Sequence, residues 1–140
     1  MTHVWENSDD YLRVFEFLES ARNFFYRNVS STEGKPVGDK EAFKEALRNQ
    51  IRHAEVVIAL NSLYASQRDL SEFQLLFANA SKIPVVLLPN FGAPAEPVKT
   101  LRELATEVIS WDERALVDAL RRQARHEQTG RWDTVEFKLD

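Results

Sequence analysis

Two apolar runs without polar alternation, Glu55-Val-Val-Ile-Ala-Leu60 and Ile83-Pro-Val-Val-Leu-Leu88, set the frame of the chain. Runs of this kind mark strands of a parallel sheet that is covered on both faces. Between them, Leu70, Phe73, Leu76, Phe77 and Ala80 recur at helical spacing, so Asp69 to Ser81 is predicted helical. Strand, helix, strand is the crossover that parallel pairing requires. Pro84 lacks an amide donor and is expected in the first turn of its strand, before the ladder becomes continuous.

The same pattern extends both ways. Ser8 is expected to cap a helix that carries Asp9 and Asp10 in its first turn and Tyr11, Val14, Phe15, Leu18 and Ala21 along one face. Phe24 to Val29 reads as a strand, Ser30 to Gly38 as a loop, and Asp39 as the cap of a helix reaching about His53. Pro94 and Pro97 frame a loop before a short helix over Val98 to Ala105. Glu107 to Trp111 is a strand, and Asp112 caps a last helix to about Arg125. In the tail, Trp132, Thr134, Glu136 and Lys138 alternate with Val135, Phe137 and Leu139, which predicts an extra edge strand. The fold class is therefore α/β: a doubly wound, flavodoxin-like parallel sheet of about five strands flanked by helices, whose ligands bind beyond the carboxyl ends of the strands. One domain spans residues 1–127, followed by the tail strand in residues 128–140.

Composition narrows the function classes. A chain of 140 residues with 44% hydrophobic and 29% charged residues suits one soluble domain. The apolar runs fall far short of the ~20 residues of a membrane span. The first residues lack the basic and then apolar pattern of a secretory signal, and cysteine is absent, so a cytoplasmic location is expected. Asp and Glu exceed Lys and Arg by 22 to 18, which disfavours nucleic acid as a partner. Arg121, Arg122 and Arg125 cluster where they complement a helix C-terminus. His3, His53 and His126 are dispersed without ligand spacing, so no metal site is expected. No Walker sequence, Gly-x-Gly-x-x-Gly run or Gly-x-Ser-x-Gly elbow occurs.

Polar and aromatic residues after each strand are candidates to line the cleft. Trp5, Asn7 and Asp9 offer a flat ring and polar groups, although Trp5 in the core and Asp9 as a helix-start acid explain them equally. Asn28 and Ser30 suit a ribose or phosphate, and also plain turn chemistry. Ser62 and Tyr64 face the start of the next helix, whose amides suit phosphate. Asn90 precedes Phe91-Gly92, a loop whose glycine permits close approach or simply a turn.

In this order and at these separations, several segments resemble the TIR-like family, including the bacterial antiphage Thoeris-type TIR proteins. They are Thr2-His-Val-Trp-Glu6 with Asp9-Asp-Tyr11, Phe24 to Ser30, Gln50 to Ile58, Leu63-Tyr-Ala-Ser66, Pro89-Asn-Phe-Gly92 and Val108-Ile-Ser-Trp-Asp112, covering about residues 2–125. The resemblance implies a nucleotide-handling protein of an antiphage or NAD-linked signalling system that cleaves NAD⁺ at the nicotinamide glycosidic bond. It implies NAD⁺ as substrate or ligand without a permanently bound cofactor, self-association through TIR surfaces, and a separate effector protein. The alternative is a TIR-like binding or assembly module without turnover. In the family a longer apolar strand precedes the position of His3; here only Met1 and Thr2 do, so that interior strand is expected to be very short, extended by another chain, or lost to a start-site choice.

The resemblance also places Gln74 where catalytic members carry a glutamate. An amide hydrogen-bonds a ribose diol but brings no charge to an oxocarbenium-like transition state. A carboxylate ~4 Å away at an effective dielectric of ~20 is worth about 4 kcal/mol, roughly a thousandfold in rate. Gln74 thus implies a ligand-binding relative, or an impaired or ligand-trapping form of the enzyme. Glu72 is the other carboxylate that can act, but it lies about 200° round the helix from Gln74 and three residues after Asp69, where a capping-box glutamate reaches back to the N-cap amide.

Overall fold

A computed structural model describes residues 2, 3, 5, 8–21, 25–28, 30–33, 35–92, 97–125 and 134–138. In chain order the elements are α1 (Asp9–Ser20), β1 (Phe25–Asn28), α2 (Lys40–Ile51), β2 (Val56–Leu60), α3 (Ser62–Ser66), α4 (Arg68–Ala80), β3 (Val85–Leu88), α5 (Lys99–Leu104), β4 (Glu107–Val108), α6 (Glu113–Arg125) and β5 (Thr134–Lys138). The class is mixed α/β. β2, β3 and β4 form a continuous parallel block, and β5 and β1 extend it to the order β1-β5-β2-β3-β4 with every pairing parallel.

Strand periodicity splits the core in two. Val56, Ile58 and Leu60 of β2, with Val86 and Leu88 of β3, pack against Tyr11, Val14 and Leu18 of α1 and Leu116, Val117 and Leu120 of α6. The intervening Val57, Ala59, Val85 and Leu87 pack against Ile51, Leu75, Ala78 and Leu101 from α2, α4 and α5. Both faces of the strands are dry, which is why the sequence shows no alternation there. Helix starts follow local chemistry. The Ser8 hydroxyl accepts from the Tyr11 N–H at 3.2 Å, the Asp39 carboxylate from the Ala42 N–H at 3.2 Å, and the Asp112 carboxylate from the Ala115 N–H at 2.8 Å.

The tail strand departs from expectation: it is interior, not an edge. β5 lies between β1 and β2, with Phe25 to Asn28 paired to Thr134 to Phe137, and Val56 and Val57 paired to Phe137 and Lys138. Its polar positions Thr134, Glu136 and Lys138 read as a solvent-facing row, but pairing partners are a nonlocal property that alternation does not encode. Above Lys138 the column passes to the other end of the sequence. The Thr2 N–H donates to the Ile58 carbonyl at 2.8 Å, and the Thr2 hydroxyl accepts from the Leu60 N–H at 3.0 Å. The interior column between β1 and β2 is thus filled by two segments, one after the other.

Smaller differences have local causes. Pro84 sits just before β3, and its carbonyl accepts from the Val57 N–H at 2.9 Å, so the ladder begins without a proline amide. β4 keeps only Glu107 and Val108, because beyond Ile109 the chain bends and Trp111 Nε1 donates to the Pro89 carbonyl at 2.7 Å. No described helix is long and apolar enough to cross a membrane.

Glu107 ties this edge to α6. Burial opposes its ionisation, but hydrogen bonds from Gln123 and Arg122 and the charge of Arg122 outweigh it, and the carboxyl group lies below the usual glutamate range. A lowered carboxyl pKa contributes stability that is complete above the unfolded-state value of ~4.3 and lost as pH falls through the native value. The Glu107→Gln chain should therefore lose less stability than the unaltered chain between about pH 5 and pH 3, as read by urea unfolding across that range.

Candidate functional site

The carboxyl ends of the strands gather a cluster around His3. The residue is 1% exposed, and Gln74 of α4 is fully buried beside it. The Gln74 amide spends both faces on backbone. Its Nε2 donates to the His3 carbonyl at 2.9 Å and to the Leu70 carbonyl at 3.0 Å, while its Oε1 accepts from the His3 N–H at 3.3 Å. Such a pair of bonds to one peptide mimics strand pairing, so α4 holds the N-terminal segment as another strand would.

The imidazole is fixed as tightly. His3 Nδ1 accepts from the Trp5 N–H at 2.8 Å, which leaves Nε2 to carry the proton and donate to Gln50 Oε1 at 3.2 Å. Gln50, on α2, also accepts from the Ser31 N–H at 3.2 Å and donates to the Ser31 carbonyl at 3.3 Å. One side chain therefore joins His3, α2 and the loop after β1. Sequence reading missed Gln50, since a glutamine on a helix carries no local signal. Its only hint was its place at the start of the Gln50 to Ile58 segment.

Trp5 adopts a left-handed backbone, φ 62°, a costly conformation for a bulky residue, of order 1–3 kcal/mol. Its ring is half-buried with Phe43, Phe73, Leu47, Leu63 and Leu70, at 5.5 Å from the Phe43 ring and 5.2 Å from the His3 ring. Trp5 is thus part of a small aromatic core. Asp9 is exposed in the first turn of α1, away from these contacts, whereas the neighbouring Asp10 is buried, pairs with Arg13 at 3.0 Å and accepts from the Phe91 N–H at 3.4 Å. Asn7 lies outside the described residues.

Asn28 and Ser30 are brought together. Asn28 Oδ1 accepts from both the Ser30 N–H at 3.0 Å and its hydroxyl at 2.7 Å, the closed turn that their residue types allow. Asn90 is exposed, and its Oδ1 accepts from Asn61 Nδ2 at 2.9 Å, while Asn61 Oδ1 accepts from the Val98 N–H at 2.8 Å. Asn61 therefore laces the ends of β2 and β3 to α5. Ser62 opens α3, a short helix the sequence pattern did not reveal.

Tyr64 and Glu72 form a second unit. The Tyr64 hydroxyl donates to Glu72 Oε2 at 3.0 Å, and Arg68 approaches the same oxygen at 3.5 Å. The expected capping box is absent. α4 begins one residue before Asp69, its N-cap Gln67 makes no side-chain cap bond, and Asp69 instead meets Lys40 of α2 at 2.7 Å. The Lys40 hydrogen bond and charge hold the Asp69 carboxyl below the usual range, at a site open to solvent.

The structure thus joins His3, Trp5, Gln50 and Gln74, joins Tyr64 with Glu72, and leaves Asp9 and Asn90 apart. Among the described residues no group of three or more His, Cys, Asp or Glu side chains is placed to hold a metal ion. No protein-family model, curated protein or solved structure matches the chain.

A buried amide donating twice to carbonyls cannot be exchanged for a carboxylate without loss. Gln74→Glu should destabilise the fold by roughly 3 kcal/mol or more at pH 7, because two carbonyls lose their donor and a charge is buried. The deficit should shrink toward pH 5, where a buried glutamic acid protonates and regains one donor. Chemical denaturation of both chains at the two pH values measures it.

Proposed function

We propose that the chain is a TIR-like binding and assembly module that recognises a nucleotide such as NAD⁺ without breaking its glycosidic bond. Counting the composite interior column first, the sheet reads 2-1-3-4-5, the flavodoxin-like order whose ligands sit at the switch point beside the first strand. In this chain that point is where Thr2 and His3 leave the column next to β2. The residues gathered there are an imidazole, an indole, two side-chain amides and the Ser31 backbone, a neutral polar corner joined by its own hydrogen bonds that brings no charge to a transition state.

The observation that carries this reading is the saturation of Gln74. At the position where the family resemblance calls for a catalytic glutamate, the side chain is fully buried and bonded to the backbone of His3 and Leu70. Its role is to hold the wall of the switch point. The competing reading, NAD⁺ cleavage, draws on Glu72, which is partly open to solvent and hydrogen-bonded by Tyr64.

NAD⁺ consumption followed by chromatography separates the two, with the unaltered chain, Gln74→Ala and Glu72→Gln. The expected outcome is no turnover by any of them, with NAD⁺ or ADP-ribose binding detected by calorimetry or ligand-observed NMR on the unaltered chain. Turnover by the unaltered chain that disappears in Glu72→Gln, with folding intact, would move the chemistry to the Tyr64 and Glu72 pair and overturn the non-catalytic reading. Self-association by light scattering without nucleotide binding would leave only the assembly role.

A further inference from the structure

Away from the His3 corner, at the opposite end of α1, a cavity of about 350 Å³ opens between that helix and α6. The 12 residues of α1 separate the two places by about 18 Å along the helix axis. The cavity walls are Ser20 and Ala21 at the end of α1 and Glu113, Arg114, Val117 and Asp118 on α6. Val117 is buried and Ala21 packs against the same core cluster, so the floor is apolar. Small-molecule sites run from roughly 300 to 1,000 Å³, so this one suits a small occupant.

The charges around the cavity are unspent. Where acids and bases lie one turn apart elsewhere they close on each other, Arg13 with Asp10 at 3.0 Å and Arg48 with Glu45 at 2.7 Å. Arg114 and Asp118 have the same opportunity on α6. Yet among the described residues neither of them, nor Glu113, makes a side-chain hydrogen bond or ion pair. Glu113 Oε2 is buried in that state, and a buried carboxylate oxygen without a donor is costly. The terminal torsion of a glutamate is soft, so this carboxylate turns readily toward a donor that enters. Arg121 completes the wall with a side chain that already has a partner. α1 adds a further acceptor: its last turn holds no basic residue, and the partial negative charge of a helix C-terminus favours a cation.

We propose that this cavity binds a small zwitterion of the amino-acid class. Its ammonium group sits between Glu113, Asp118 and the end of α1, its carboxylate on Arg114, and a short aliphatic side chain over Ala21 and Val117. A lone cation would leave Arg114 unmet, and a lone anion would enter against two carboxylates. A ligand that carries both charges meets all three side chains with charge-assisted hydrogen bonds. The site lies apart from the nucleotide corner, so its occupancy stands or falls independently of the NAD⁺ reading.

Amide-resolved NMR of the full chain tests this with three probes that share one aliphatic body: L-valine, isobutylamine and isovalerate. The expected result is that L-valine shifts the amides of Ser20, Ala21, Glu113 and Asp118 and binds about tenfold more tightly than either singly charged probe. Glu113→Gln and Arg114→Ala should each weaken L-valine about tenfold. Glu103→Gln, on α5 across the sheet, should leave its binding unchanged. Equal affinity for isobutylamine would show a plain cation site and overturn the proposal. An affinity for L-valine that ignores Glu113→Gln, in a chain whose spectrum stays that of the folded protein, would overturn it too. So would the absence of any shift at those amides with all three probes.

Discussion

An interior strand position of a parallel sheet must be filled along its whole length, since each gap strands donors and acceptors on two neighbours. In this chain that demand falls on the column between β1 and β2, and among the described residues no single segment meets it. The tail supplies the lower part through β5, Thr2 supplies the next rung through its amide and hydroxyl, and Gln74 then takes up the His3 peptide where sheet pairing ends. The placement of β1 and the geometry around His3 both depend on this relay.

The candidate site inherits its character from the same relay. An amide side chain can both donate and accept, and Gln74 needs both abilities to hold one peptide unit while also capping the Leu70 carbonyl. A carboxylate has no donor to offer at neutral pH, so it would leave the His3 and Leu70 carbonyls without their partner. The packing at position 74 therefore selects an amide over an acid.

Much of the frame was legible because its signals are local. β2 and β3 announced themselves as apolar runs, and Ser8, Asp39 and Asp112 identified three helix starts through short-range hydrogen bonding. The place of β5 was not legible. Its alternation gave the strand but pointed to an edge, because Thr134, Glu136 and Lys138 look like a solvent row and strand order depends on pairings far apart in sequence, Phe25 with Thr134 and Val56 with Phe137. Asp69 looked like a cap because its spacing to Glu72 is right, yet Lys40 on another helix claims its carboxylate. Gln50 and Asp10 were overlooked for the same reason in reverse: each is an unremarkable residue on a helix until a distant backbone amide or ring nitrogen comes to rest against it.

The fixed imidazole of His3 carries one more implication. One of its ring nitrogens receives the Trp5 amide and the other is spent on Gln50, which in turn grips the Ser31 peptide. A molecule that approaches this corner finds no idle nitrogen and must displace a protein bond to engage either one. Displacing the Gln50 bond loosens the hold on the loop beyond β1, and displacing the Trp5 bond frees a strained backbone. The imidazole thus ties the loop beyond β1 to the left-handed backbone at Trp5, so that neither shifts without breaking a bond at this one ring.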